Sequence, residues 1–254
     1  MRVKAANLGK KKQTIEWRSH EPSRLETFSD AVFAFAVTLI IVSLEVPKSF
    51  NELYETMKGT VSFAVCFAVL FQIWNQQNLF FRRYGLNDGS TVALNGMLLF
   101  VVLVYAYPLK FLFGLLFFDS TYAVNGHRYE MINEMQVPTL MLIYGAGYTA
   151  INLLFFAMYA NAKKHASALK LTAIEIYETA TITYVNLTLT FIGVTAMLLA
   201  WLLPARYAGF SGFFYCTIGL AYWIWFSYRA KKAKKKIWAQ RTAGFLTLRL
   251  FIAA

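Results

Sequence analysis

Residues 24–47 read RLETFSDAVFAFAVTLIIVSLEVP. Arg24, Glu26 and Asp30 crowd the first seven positions, and from Ala31 to Val42 every residue except Thr38 is apolar. A charged entry followed by such a run predicts a helix that enters a bilayer. The apolar stretch from 28 to 46 is close to the roughly 20 residues a crossing needs. At about 100° per residue, Ala31, Phe35, Thr38, Leu39 and Val42 share an arc of about 100°. Glu45 lies near that arc at the far end, and Asp30 lies off it. One face thus stacks bulky apolar residues around a single hydroxyl, with a carboxylate at its outer mouth.

Five more apolar runs follow, over roughly 60–81, 91–118, 136–160, 179–203 and 208–228. Pro108 and Lys110 in the third run predict a kink or an extension beyond the bilayer. Hydrophobic residues make up 58 % of the 254 and charged residues 15 %, with a mean hydropathy of +0.46. A soluble domain carries about a quarter charged residues. Composition therefore excludes a disordered chain, a coiled coil and an ordinary soluble domain. The expected fold is all-α, a polytopic membrane protein of six transmembrane helices over 28–228. A basic N-terminus (1–27) and a basic tail (229–254) flank it.

The positive charges orient the spans. With the N-terminus inside, the inner segments hold 20 of the 25 Lys and Arg, and the outer ones only Lys48, Lys58, Arg128 and Arg206. That bias predicts both termini to be cytoplasmic. The outer segments are mildly acidic, which raises the local cation concentration. The cluster YRAKKAKKK directly after the last span has two readings, a contact with anionic lipid or the stop signal of a final helix.

Enzyme signatures are missing from the sequence. It has no HExxH, no phosphate loop and no nucleophile elbow. The three histidines fall in separate segments, and Cys66 and Cys216 sit in apolar runs as packing residues. No metal site and no cofactor is expected. The run YGAGY at 144–148 faintly resembles a potassium filter, but it lies inside the fourth span with no pore helix before it. Small residues for close helix packing are the better reading, and no re-entrant filter loop is expected.

Asp30, about one turn into the first span, is an expensive residue: a carboxylate costs about 2.5–3.5 kcal/mol at mid-bilayer and less near the edge. It calls for partners, and Arg24 together with Trp74, Asn75 and the neighbouring amides of the second span are the candidates. A hydrogen-bonded hub that poses the first helix is one reading, an interfacial charge with water access the other. Thr38 likewise has two readings, a functional hydroxyl or a back-bond to the Ala34 carbonyl.

RLETFSD fits the RxxxFSD motif of the transmembrane protein 175 family of potassium channels, through Arg24, Phe28, Ser29 and Asp30. The continuation AVFAFAVTLIIVSLEVP also resembles that family's first helix. The resemblance implies a homotetramer of one six-span repeat per chain, with four first helices lining a pore. It implies an apolar constriction at Phe35, with further layers at Leu39 and Val42, and a threonine layer at Thr38 linked to potassium preference. With Glu45 at the outer mouth by helical phase, the expected structural hub is Arg24, Phe28, Ser29, Asp30, Trp74 and Asn75. Permeating potassium near Thr38 would be the only metal, and potassium ions, the bilayer and three further copies the only partners. The expected setting is a prokaryotic plasma membrane. Phe at 35 departs from the aliphatic residue usual there. The rival function is a proton-coupled transporter in which Asp30 titrates.

Overall fold

The computed structural model describes residues 17–19, 21–42, 48–117, 121–124, 127–225 and 227. The chain runs through α1 (Arg24–Val42), α2 (Phe50–Lys58), α3 (Thr60–Tyr84), α4 (Gly89–Phe117), β1 (Thr121–Val124), β2 (His127–Glu130), α5 (Val137–Lys164) and α6 (Ala173–Leu202). A 3-10 stretch over Ala205–Cys216 comes next, and helix resumes at 217–225. Three helical segments, Gly89–Phe117, Glu134–Lys164 and Ala173–Leu202, are long and apolar enough to cross a membrane by length and composition.

The architecture is helical, with two departures from the all-α expectation. An antiparallel hairpin pairs Thr121 with Glu130 and Val124 with His127; Asn125-Gly126 between its strands is a strong two-residue hairpin signal. The last apolar run is the second departure. It opens as 12 residues of 3-10 helix rather than as one α-helix. The segment after α1 also contains the short α2, too short to cross. α4 has 29 residues and continues through Pro108, so at 1.5 Å per residue it is about 43 Å long and outreaches a hydrocarbon core of about 30 Å.

The core gathers one face from each of four helices: Phe33, Ala36 and Ile40 of α1, Leu70 and Phe80 of α3, Leu98 and Val102 of α4, and Phe155 and Met158 of α5. Phe80, Tyr84 and Tyr159 close one end of it with ring centroids 5.1–5.9 Å apart. α3 ends where Gly85 adopts φ 58° and donates its N–H to the Phe81 carbonyl, a left-handed cap that glycine adopts readily.

α5 packs on α4 and α6 through small residues. A Cβ at Gly147 would collide with the Tyr105 ring, at Gly145 with Met197, and at Gly193 with Thr149. Gly145 and Gly147, the glycines of the filter-like run, are thus helix-packing glycines. α6 carries its threonines without leaving polar groups bare: Thr179, Thr181, Thr183, Thr188, Thr190 and Thr195 each donate to the carbonyl four residues back. Of the two cysteines, Cys66 is buried as a packing residue, whereas Cys216 is exposed at the end of the 3-10 stretch.

Candidate functional site

α1 has two unlike faces. Glu26, Ser29, Phe33, Ala36 and Ile40, spaced three and four apart, are all buried. This seam packs on α3 and α4. The opposite arc stays uncovered within the chain: Phe35 is 56 % and Leu39 42 % exposed, and Ala31 and Thr38 are exposed beside them. Val42 ends the helix, and its side chain lies outside the described residues, as does Glu45.

The cytoplasmic-side end predicted for α1 is tied by amides. Gln77 of α3 donates to Asn95 Oδ1 of α4 at 2.7 Å. Asn95 Nδ2 donates to Ser29 Oγ at 2.9 Å, and Ser29 passes its own proton to the Leu25 carbonyl at 2.7 Å. All three side chains are at most 1 % exposed. Fully satisfied buried chains of this kind fix one arrangement. Asn95 was not anticipated; its signal was a lone amide in the apolar run GSTVALNGM.

Asp30 and Trp74 meet directly, with Trp74 Nε1 donating to Asp30 Oδ1 at 2.7 Å. Asp30 is exposed in the single chain beside this bond, and Arg24 is exposed and pairs with no described residue. The physical reason is helical phase: Arg24 sits at the first position of α1, and Asp30 falls beside the seam rather than in it. Phe28, at 61 % exposure, also points away from the core. Asn75 is exposed and lines a separate cavity with Gln72 and Gln76. Thr38 donates to the Phe35 carbonyl at 2.7 Å, three residues back rather than to Ala34.

Two further ties hold the ends of α1. At its C-terminal end, Lys110 Nζ of α4 donates to the Ile40 carbonyl at 3.1 Å. The last turn of α1 has no basic residue of its own, so Lys110 supplies the positive charge that a helix C-terminus favours. Before its N-terminal end, Arg18 makes a two-pronged ion pair with Glu175, both contacts at 3.0 Å. Arg18 also donates to the Leu169 and Arg83 carbonyls, and Trp17 stacks under Arg82 at 4.6 Å. Sequence reasoning missed this anchor. Its legible half was Thr172-x-x-Glu175, a capping box in which each side chain reaches the other's backbone N–H.

Helices long and apolar enough to cross a bilayer place the chain among helical membrane proteins. Comparison with known proteins makes this specific. The profile of a family described as "Endosomal/lysosomal potassium channel TMEM175" matches residues 24–105, the stretch that holds α1, α3, Asp30, Trp74 and Asn95. A potassium channel of Marivirga tractuosa is 37 % identical over 215 residues, covering 79 % of this chain and 85 % of that protein. The crystal structure of a threonine-to-alanine variant of the potassium channel MtTMEM175, bound to a nanobody fusion, superposes with a TM-score of 0.73. It is 34 % identical and covers 87 % of this chain and 97 % of that one. A TMEM175 homologue from Chamaesiphon minutus, 21 % identical with a TM-score of 0.52 over 81 % and 96 % of the two chains, shares the fold. The chain belongs to the TMEM175 family of potassium channels. It is a membrane channel protein and not an enzyme.

Proposed function

We propose that the protein is a homotetrameric, potassium-selective channel of a prokaryotic plasma membrane, its pore lined by four copies of α1. The observation that carries this reading is the pair of faces on α1. One is locked to α3 and α4, and the other leaves Phe35, Thr38 and Leu39 exposed in the single chain. Four such faces around an axis would place apolar rings at Phe35, Leu39 and Val42 with one hydroxyl ring at Thr38 among them. Apolar constrictions gate by dewetting. Glu45 would stand at the outer mouth, where a carboxylate gathers cations.

Six crossings and inner termini complete the proposal. The distribution of Lys and Arg supports the orientation. The sixth crossing would be 205–225. Twelve 3-10 residues at about 2.0 Å and nine helical ones at 1.5 Å give about 37 Å, enough for the hydrocarbon core.

At the Thr38 ring a partly dehydrated ion would meet hydroxyl oxygens. Such a ring offers fewer dipoles than stacked carbonyls, so its preference is weaker than that of a carbonyl filter. The test is recording from the purified full-length protein in a planar bilayer. Unitary steps with a potassium-favouring bi-ionic reversal potential are expected. Thr38→Val should shift that potential towards sodium, and Thr38→Ser should shift it less. Flowing current with an unshifted potential in Thr38→Val would remove Thr38 from selectivity. Saturable, proton-coupled flux without steps would make the protein a transporter instead.

A further inference from the structure

Among the described residues, α1 packs on α3 and α4 and not on α6. Arg18, six residues before α1, supplies a link to α6. Its guanidinium donates to both Glu175 oxygens at 3.0 Å, in the first turn of α6. It also donates to the Leu169 carbonyl at 3.1 Å and the Arg83 carbonyl at 3.2 Å. The backbone N–H groups of Arg18 and Ser19 donate to the Arg82 carbonyl at 3.0 and 3.3 Å. One residue thus clasps the C-terminal end of α3, the turn after α5 and the N-terminal end of α6. The last carbonyls of a helix lack partners within it and form its negative end, so α3 and Glu175 attract the same cation. A planar guanidinium fork can serve all of these acceptors together, whereas an ammonium is a point charge.

The connection from Arg18 to α1 is short. Ser19, His20, Glu21 and Pro22 separate it from Ser23, and five steps of chain span at most about 18 Å. Pro22 fixes its own φ and restricts the residue before it. Ser19 Oγ donates to the Glu21 carbonyl at 3.0 Å and lies 3.5 Å from Glu26 Oε1. Glu26, which is buried, pairs reciprocally with Ser23. The Ser23 N–H donates to Glu26 Oε1 at 3.0 Å, and the Glu26 N–H donates to Ser23 Oγ at 3.2 Å, a capping box at the start of α1. A shift of the first turn of α6 is therefore passed to the first turn of α1 through one short tether.

We infer that Arg18 is a positioning residue for conduction: it couples the N-terminal end of α6 to the first turn of α1 and so sets how readily the pore helix changes its pose. The conduction half rests on the reading of α1 as the pore lining; the coupling half does not.

Hydrogen exchange of the full-length protein in nanodiscs reads the coupling, and planar-bilayer recording reads its effect on the pore. In Arg18→Gln, amides 25–31 should exchange about tenfold faster, as the loss of charge-assisted hydrogen bonds predicts, and amides 150–158 of α5 should change far less. Arg18→Lys keeps the charge without the fork and should show about a threefold increase; it serves if Arg18→Gln does not fold. The charge swap Arg18→Glu/Glu175→Arg should recover part of the wild-type exchange. Open and closed dwell times should shorten by about threefold in Arg18→Gln, with the reversal potential unchanged. Wild-type exchange over 25–31 in both single variants overturns the inference, and so do unchanged dwell times beside faster exchange. An acceleration in α5 as large as that in α1, or the same dwell-time change in Gly147→Ala, also overturns it, because either marks a general loss of stability. Faster α1 exchange in the variants, with proton-coupled flux and no unitary steps in wild type, would uphold the coupling and remove the pore reading alone.

Discussion

Replacing Asn95 with leucine should cut the tie between α1, α3 and α4 at its centre. The side chains are similar in size, so the change isolates hydrogen bonding from packing. Two bonds disappear, at 2.7 Å to Gln77 and 2.9 Å to Ser29. Ser29 keeps its bond to the Leu25 carbonyl, but Gln77, 1 % exposed, is left with an amide and no partner from Asn95. A stranded buried donor costs about 1–3 kcal/mol, whereas hydrogen bonds in membrane proteins average about 0.6 kcal/mol with a maximum near 1.7. The expected loss is therefore about 1.5–2 kcal/mol, a tenfold or larger fall in the folding equilibrium. Tryptophan fluorescence during SDS titration in mixed micelles measures it. The companion variant Gln77→Leu/Asn95→Leu removes the stranded donor, and should lose less than Asn95→Leu alone. A loss below about 0.5 kcal/mol in the single variant, or a double variant worse than the sum of its singles, would refute this reasoning.

Arg18→Ala removes both prongs of the ion pair from the Glu175 carboxylate, which is 5 % exposed; a loss of about 3 kcal/mol is expected, checked by thermal unfolding against Arg18→Ala/Glu175→Ala, which should lose less. Gly147→Ala drives a methyl into the Tyr105 ring and should lower the melting temperature of the purified protein, with Gly147→Ala/Tyr105→Ala recovering part of it. Asp88 governs an acid limb: desolvation raises its pKa, but hydrogen bonds from Thr91 and Asn161 prevail and hold it below 3.8. Its contribution is thus fully present above 3.8 and lost as pH falls through the lower folded value, so Asp88→Asn should flatten the most acidic part of a stability–pH curve and leave neutral pH behaviour alone.

The long apolar helices α4, α5 and α6 were legible because lipid asks for a single property over about 20 residues, and these three carry it plainly. The two faces of α1 were legible too, since a 3.6-residue period sorts Phe35 and Leu39 from Phe33, Ala36 and Ile40. Partners were not. Asp30 takes its hydrogen bond from Trp74, 44 residues away, and no local rule favours that indole over Arg24. Asn95 and Arg18 were missed for the same reason: each reads as an isolated polar residue until the fold brings Ser29 or Glu175 to it. The 3-10 opening of the last run escaped because apolar content measures length in the membrane and says little about helical pitch.

Thr38 joins two readings that the sequence left as rivals. A cation needs lone pairs and is repelled by a hydroxyl proton. The Thr38 proton is given to the Phe35 carbonyl at 2.7 Å, so it points back into the helix and leaves the oxygen an acceptor on its outer side. A threonine in a helix has two favoured rotamers, each set by such a back-bond. The bond that looks purely structural is then the one that would hold the oxygen ready for an ion, with no reorientation needed on arrival. Serine makes the same bond but lacks the methyl that limits its rotamers, and valine keeps the methyls without the oxygen. The proposed order of potassium preference, threonine above serine above valine, therefore follows from one hydrogen bond inside α1 and not from any contact between helices.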